Sequence, residues 1–146
     1  MKNKILLILI IFLIILSISI YFVYNYRKNA LQAQKINNEY KAYYKMQMLG
    51  TELVSILNKT ADINEKNEIG KDEEGLYIDN NINSIKIYIK LKYKEDYEII
   101  EMEKILNNGV ENFIKSYAAA SFKCESISYH EKTKNVKDLT FIETDD

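Results

Sequence analysis

The chain has 146 residues, a formal net charge of −1, one cysteine (Cys124), one histidine (His130), four glycines and neither proline nor tryptophan. One cysteine cannot close an internal disulfide, a single Cys and a single His cannot build a zinc site, and the scattered glycines form neither G-x-G-x-x-G nor G-x-x-x-x-G-K-[ST]. G-x-S-x-G and H-E-x-x-H are absent as well, and the near-neutral charge argues against nucleic acid, which needs a concentrated basic surface.

From Ile5 to Val23 run 19 uncharged residues, ILLILIIFLIILSISIYFV. As a helix rising ~1.5 Å per residue they reach ~28 Å, close to the ~30 Å hydrocarbon core of a bilayer. Tyr21, Tyr24 and Tyr26 stand where an interfacial aromatic belt belongs, and Arg27-Lys28 closes the span. Residues 1–26 therefore read as a transmembrane anchor that meets lipid through residues 5–23. Lys2, Lys4 and Ser17-Ile18-Ser19 supply the pieces of a cleaved signal, but the apolar run continues past Ser19 through Tyr24, longer than a usual signal core. A retained single pass is the expectation. Flanking positive charges nearly balance; the short basic segment ahead of the apolar run is the arrangement of an exported signal anchor and points to an extracytoplasmic soluble domain.

Residues 27–62 read as one long helical segment. No breaker precedes Gly50, and Ile36, Tyr40, Tyr43 and Tyr44 fall at helical spacing on one face that Gln47 continues. Tyr40, Tyr43 and Tyr44 are a candidate partner surface; the commoner use of such a stripe is packing on the domain's own sheet. Gly50 interrupts the helix, Thr51 caps a second one with Glu52 in its first turn, and Leu53, Ile56, Leu57 and Ala61 carry an apolar stripe to about Asp62.

Residues 63–146 read as a small α+β domain packed on that helix. The polar stretch 62–84 is a loop region with a short strand at Leu76 to Ile78. As a calcium loop beginning at Asp62 it fails, because Lys66 would fill a ligand position and Asn67 the obligatory glycine position. From Ser84 to Lys94, Ile85, Ile87, Ile89, Leu91 and Tyr93 alternate with Lys86, Tyr88, Lys90, Lys92 and Lys94, a half-buried strand with a lysine face. Lys86, Lys90 and Lys92 are a second candidate partner surface; the plainer readings are a solvated face or a guarded edge. Tyr97 to Met102 returns as the paired strand. Asn108 with Glu111 opens a helix bearing Val110, Phe113, Ile114 and Tyr117, and Phe122 to Tyr129 and Val136 to Glu143 form a closing hairpin with a register break near Glu125-Ser126. His130 is expected to be solvated at the hairpin edge, Cys124 to be a small buried hydrophobe, and Glu101 and Glu103 to be a carboxylate pair on a strand, unlike a glycosidase pair. No catalytic, cofactor-binding or metal-binding residue is assigned.

The expected fold is thus α+β: an N-terminal transmembrane helix continuing into a long amphipathic helix, then a roughly four-stranded antiparallel sheet with one inserted helix. That order is similar to type IV pilins and pseudopilins. Those carry a glycine before a Phe-Thr-x-x-x-Glu type segment, whereas this chain opens Met1-Lys2-Asn3-Lys4-Ile5, so the resemblance is architectural. GTELVSILNKTADINEKN (Gly50 to Asn67), NSIKIYIK (Asn83 to Lys90) and FKC…YHEKT (Phe122 to Thr133) resemble a set of small single-span proteins of low-G+C Gram-positive bacteria. That resemblance implies a membrane location and carries over no functional residue. The expectation is a single-pass, non-enzymatic membrane protein of the cell envelope without a cofactor, making protein contacts or self-associating, in a pilin-like or secretion assembly. The alternative is a membrane-tethered module that binds a small ligand or peptide.

Overall fold

The structure, a computed structural model, describes residues 2–145. It divides into two compact units, Met1–Ile36 and Asn37–Asp146. Helix α1 (Lys2–Tyr43) supplies the first unit and the opening residues of the second.

In the first unit the apolar helix is exposed along its described length. Its large apolar side chains from Ile5 to Val23 are between 44% and 67% exposed. One stretch reaches a mean hydropathy of 3.2 with none of it buried, so this one helix is long and apolar enough to cross a membrane. Ser17 and Ser19 do not interrupt the apolar surface: each hydroxyl donates back to the carbonyl four residues earlier, Leu13 and Ile15, at 2.8 Å.

The second unit follows α1 with β1 (Gln47–Leu49), α2 (Gly50–Lys66), β2 (Lys86–Tyr93), β3 (Asp96–Glu101), α3 (Met102–Asn107), α4 (Val110–Tyr117), β4 (Ser121–Tyr129) and β5 (Val136–Thr144). The fold is α+β, as expected, but the sheet has five strands in the order β1-β4-β5-β2-β3 and is mixed. The neighbours are antiparallel except β2 and β5, which run parallel. The reason lies in the connection. Two short helices, where one was expected, carry the chain from β3 to β4 and return it to its starting end, so β4 runs in the same direction as β3. The β4–β5 hairpin then reverses β5 into the direction of β2. The expected register break is present between Cys124 and Ser126.

Ile87, Ile89 and Leu91 of β2, Phe122 and Cys124 of β4, and Leu139 and Phe141 of β5 are buried, and Leu53 and Leu57 of α2, Met102 and Ile105 of α3, and Phe113 of α4 complete the core. α2 runs to Lys66, beyond the expected end, because its buried stripe continues through two polar residues. Thr60 and Asn64 are both fully buried. Asn64 donates to the Ile85 carbonyl at 2.7 Å and accepts from the Ile85 N–H at 2.9 Å, so its amide acts as a strand partner at the entry to β2.

The segment before α2 departs from the expectation of unbroken helix to Gly50. Helix α1 ends at Tyr43, and Gln47–Leu49 pairs with Lys123, Phe122 and Ser121 instead. Thr51 is not the cap. Glu52 reaches back to accept the Leu49 N–H at 2.8 Å, with Leu49 at the N-cap. Gly50 is required by contact, since a Cβ there would lie 1.9 Å from the Tyr117 carbonyl oxygen. α2 closes in a Schellman motif: Ile69 N–H reaches the Asn64 carbonyl and Glu68 N–H the Glu65 carbonyl, both at 3.0 Å. The left-handed position is taken by Glu68 (φ 55°), where glycine is usual. Gly109 (φ 87°), not Asn108, is the N-cap of α4, and the expected strand at Leu76 to Ile78 is reduced to one bridge between Lys71 and Tyr77.

Two glycine exchanges test this account in opposite directions. Gly50→Ala forces backbone apart and should cost at least ~2 kcal/mol. Glu68→Gly relieves a left-handed side chain and should add about 1 kcal/mol, both read by denaturant unfolding of the domain in detergent.

Candidate binding surfaces

The three tyrosines do not share a surface. Tyr40 is 1% exposed and is a core residue, not a partner contact. Its hydroxyl lies 2.6 Å from Thr60 Oγ1. Thr60 spends its own proton on the Ile56 carbonyl at 2.8 Å, so Tyr40 is the donor. Burial pushes the Tyr40 phenol far above the usual tyrosine range. Tyr43 is half-buried, edge-on to Tyr40 with ring centres 5.9 Å apart, and donates to Glu39, which also pairs with Lys59. Tyr44 is 47% exposed, with Lys45 over its ring.

Beside Tyr43 lies a groove of about 270 Å³ whose walls include Met46, Met48 and Ile56, with Glu52, Ser55 and Lys59 at its polar positions. It is the size of one or two side chains. A more polar cleft of about 340 Å³ lies between α2 and α3, lined by Asp62 and Glu65, Tyr77, Lys71 and Glu103. Glu103 is 3% exposed, and its Oε1 accepts the Tyr77 N–H at 3.0 Å. Burial, helped by Glu65 and Glu103, pushes the Tyr77 phenol up to about 12. Glu101 and Glu103 are not a pair: Glu101 ends β3 and faces Lys104 at 3.3 Å, while Glu103 belongs to α3.

The lysine row stands on an interior strand, because β2 lies between β5 and β3, so it guards no edge. Lys90 Nζ pairs with Glu125 at 2.6 Å, and Lys92 pairs with Asp145. Lys86 is half-buried opposite Asp138 of β5. Lys90 and Lys92 thus each lie beside a carboxylate on this face.

His130 is buried, 2% exposed, against the expectation of a solvated ring. Its Nε2 lies 2.8 Å from the Ser84 carbonyl, so that nitrogen carries the proton and donates. Nδ1 lies 3.9 Å from Asp79 Oδ1. The same turn is tied by Ser84 Oγ to Asp79 at 3.2 Å, Thr133 Oγ1 to the Ile82 carbonyl at 2.6 Å, and Lys137 to Asp79 at 2.9 Å. Serine, histidine and aspartate thus meet, with the buried Ser84 hydroxyl donating to Asp79, and the grouping fastens loop 79–84 to the β4–β5 hairpin. Cys124 is fully buried, and burial pushes its thiol up to about 11. Among the described residues no group of three His, Cys, Asp or Glu side chains could hold a metal.

Asn64, Tyr77 with Glu103, and Asp79 with His130 went unrecognised in the sequence. Asn64 alone carried a signal, since it continues the 53, 57, 60 spacing of the buried helix face. No family model, no curated protein and no solved structure matches the chain.

The Asp79 contacts predict an acid-sensitive domain. Lys137 first, then the Asn81 N–H, holds the Asp79 carboxyl at about 2, below its ordinary 3.8. A depressed carboxylate contributes stability above its ordinary value and loses it as pH falls through the folded value. Unfolding curves between about pH 4 and pH 2 should show this loss, and Asp79→Asn should flatten that part of the profile.

Proposed function

We propose that this chain is a single-pass, non-enzymatic membrane protein of the cell envelope whose small α+β domain makes protein contacts, in a pilin-like or secretion assembly. The observation that carries the reading is the apolar helix of mean hydropathy 3.2, whose apolar stretch is wholly exposed among the described residues. Exposed hydrocarbon of that extent is stable in lipid and not in water. Protein contact is supported by surfaces the domain leaves uncovered, chiefly β3 at the sheet edge and the Met46/Met48 groove. The Ser84–His130–Asp79 geometry supports the non-enzymatic part, because its hydroxyl is engaged by the carboxylate. A second reading, a tethered module for a small ligand or peptide, draws on the cleft at Tyr77 and Glu103.

A reporter active only outside the membrane, fused after Asp146, should be active, and one active only inside should be silent. The reverse would end the envelope reading. Cross-linking in intact membranes should trap a reproducible protein neighbour on the domain; a chain that stays monomeric and uncrosslinked contradicts the contact role.

A further inference from the structure

We propose that the outer edge of β3 docks an extended segment of a partner protein bearing alternating basic and apolar residues, added to the sheet as a sixth strand; this rests on the protein-contact reading above. β3 ends the strand order, and its first four residues are exposed, the last two half-exposed. Tyr93 and Asp96 close a two-residue turn at Lys94-Glu95, so the ladder bonds to β2 are made by Asp96, Glu98 and Ile100, opposite Tyr93, Leu91 and Ile89. The phase is fixed independently by Lys92, whose N–H faces away from β3 and reaches Glu143 Oε2 at 2.9 Å. The backbone groups of Tyr97, Ile99 and Glu101 therefore face outward.

Of these, the Tyr97 N–H is taken by Asp96 Oδ1 at 2.8 Å. The Tyr97 carbonyl, both groups of Ile99 and the Glu101 N–H remain as a short template for main-chain pairing. The strand has no lysine, no proline and no bulge, so what guards it is the negative charge of Asp96, Glu98 and Glu101, which opposes an acidic strand and not a basic one. The opposite edge differs: β1 is three residues long, and its Leu49 N–H is already held by Glu52.

Charge selects the occupant. Asp96, Glu98 and Glu101 lie on the strand and Glu95 in its turn, and the nearby Lys94 ammonium sits 5.2 Å from the Tyr93 ring centre. Glu101 is met by Lys104 at 3.3 Å, but a second copy pairing edge to edge would bring Asp96 and Glu98 of both copies onto one seam, which disfavours self-pairing. Tyr97 and Ile99, 42% and 60% exposed, alternate with the acidic positions, so the fitting strand places lysine or arginine beside Asp96 and Glu98 and apolar groups beside Tyr97 and Ile99.

The test uses the full chain in nonionic detergent and two capped seven-residue peptides, one alternating lysine with isoleucine and valine, the other its glutamate-for-lysine twin. The lysine peptide should bind, the twin should not, and binding should slow amide exchange at Ile99 and Glu101. Ile99→Pro removes an outward N–H without touching the β2 ladder and should weaken binding about tenfold or more. Glu98→Lys, on an exposed side chain, should shift preference toward the glutamate twin and serves if the proline variant does not fold. Equal binding of both peptides, absence of binding, affinity unchanged by both variants, or protection of Ile99 that rises with protein concentration alone would each overturn the proposal. The broader contact role stands or falls separately, on the membrane cross-linking.

Discussion

Exposed apolar surface along one helix is the constraint on which this account depends. From Ile5 to Val23 the helix presents isoleucine, leucine and phenylalanine around its whole circumference, all at least 44% exposed. A helix that is apolar on every side belongs inside a protein or inside a membrane. Among the described residues none of its apolar stretch is buried, and a helix already satisfies its own backbone, which is what lipid demands. The membrane reading follows from that combination and leaves the folded domain to be explained by ordinary aqueous physics.

Within the domain, polar side chains join elements that apolar packing alone would leave free to slide. Asn64 supplies a donor and an acceptor to one residue, Ile85, where β2 begins. Asn37 does the same across the hairpin, donating to the Lys134 carbonyl at 2.9 Å and accepting the Val136 N–H at 2.8 Å. Tyr40, Thr60 and the Ile56 carbonyl form a directed chain of hydrogen bonds. Among the described residues no buried side-chain nitrogen or oxygen lacks a partner. Such bonds contribute little net energy each, about 1 kcal/mol, but breaking one strands a buried polar group, so they specify register more than they add stability. The same accounting explains why the buried Ser84 and His130 are structural: each proton has a destination inside the fold.

Local pattern was legible where one period ruled a whole element. The alternation from Ile85 to Leu91 marked β2, the Glu125-Ser126 irregularity marked the break in β4, and the unbroken apolar run marked the first helix. Pairing was not legible, because alternation says which face a strand buries and not which neighbour it takes; the parallel β2–β5 pair arises from the helical return between β3 and β4. β1 was missed because Gln47, Met48 and Leu49 also continue a helical pattern, and only contact with β4 decides between the two. His130 was misplaced for the same reason, its burial being created by loop 79–84, a segment distant in sequence; for Tyr40 the packing reading fits and the partner-surface reading does not, because α2 meets it.

The most direct measurement is labelling of single introduced cysteines by a membrane-impermeant maleimide, with membranes intact and then permeabilised. Cys124 is fully buried and adds little background. Leu13→Cys, in the middle of the apolar run, should stay unlabelled in both conditions, while Ser55→Cys, on the exposed face of α2, should label from one side of the membrane. Equal labelling of Leu13→Cys and Ser55→Cys would place the helix in water and contradict the account.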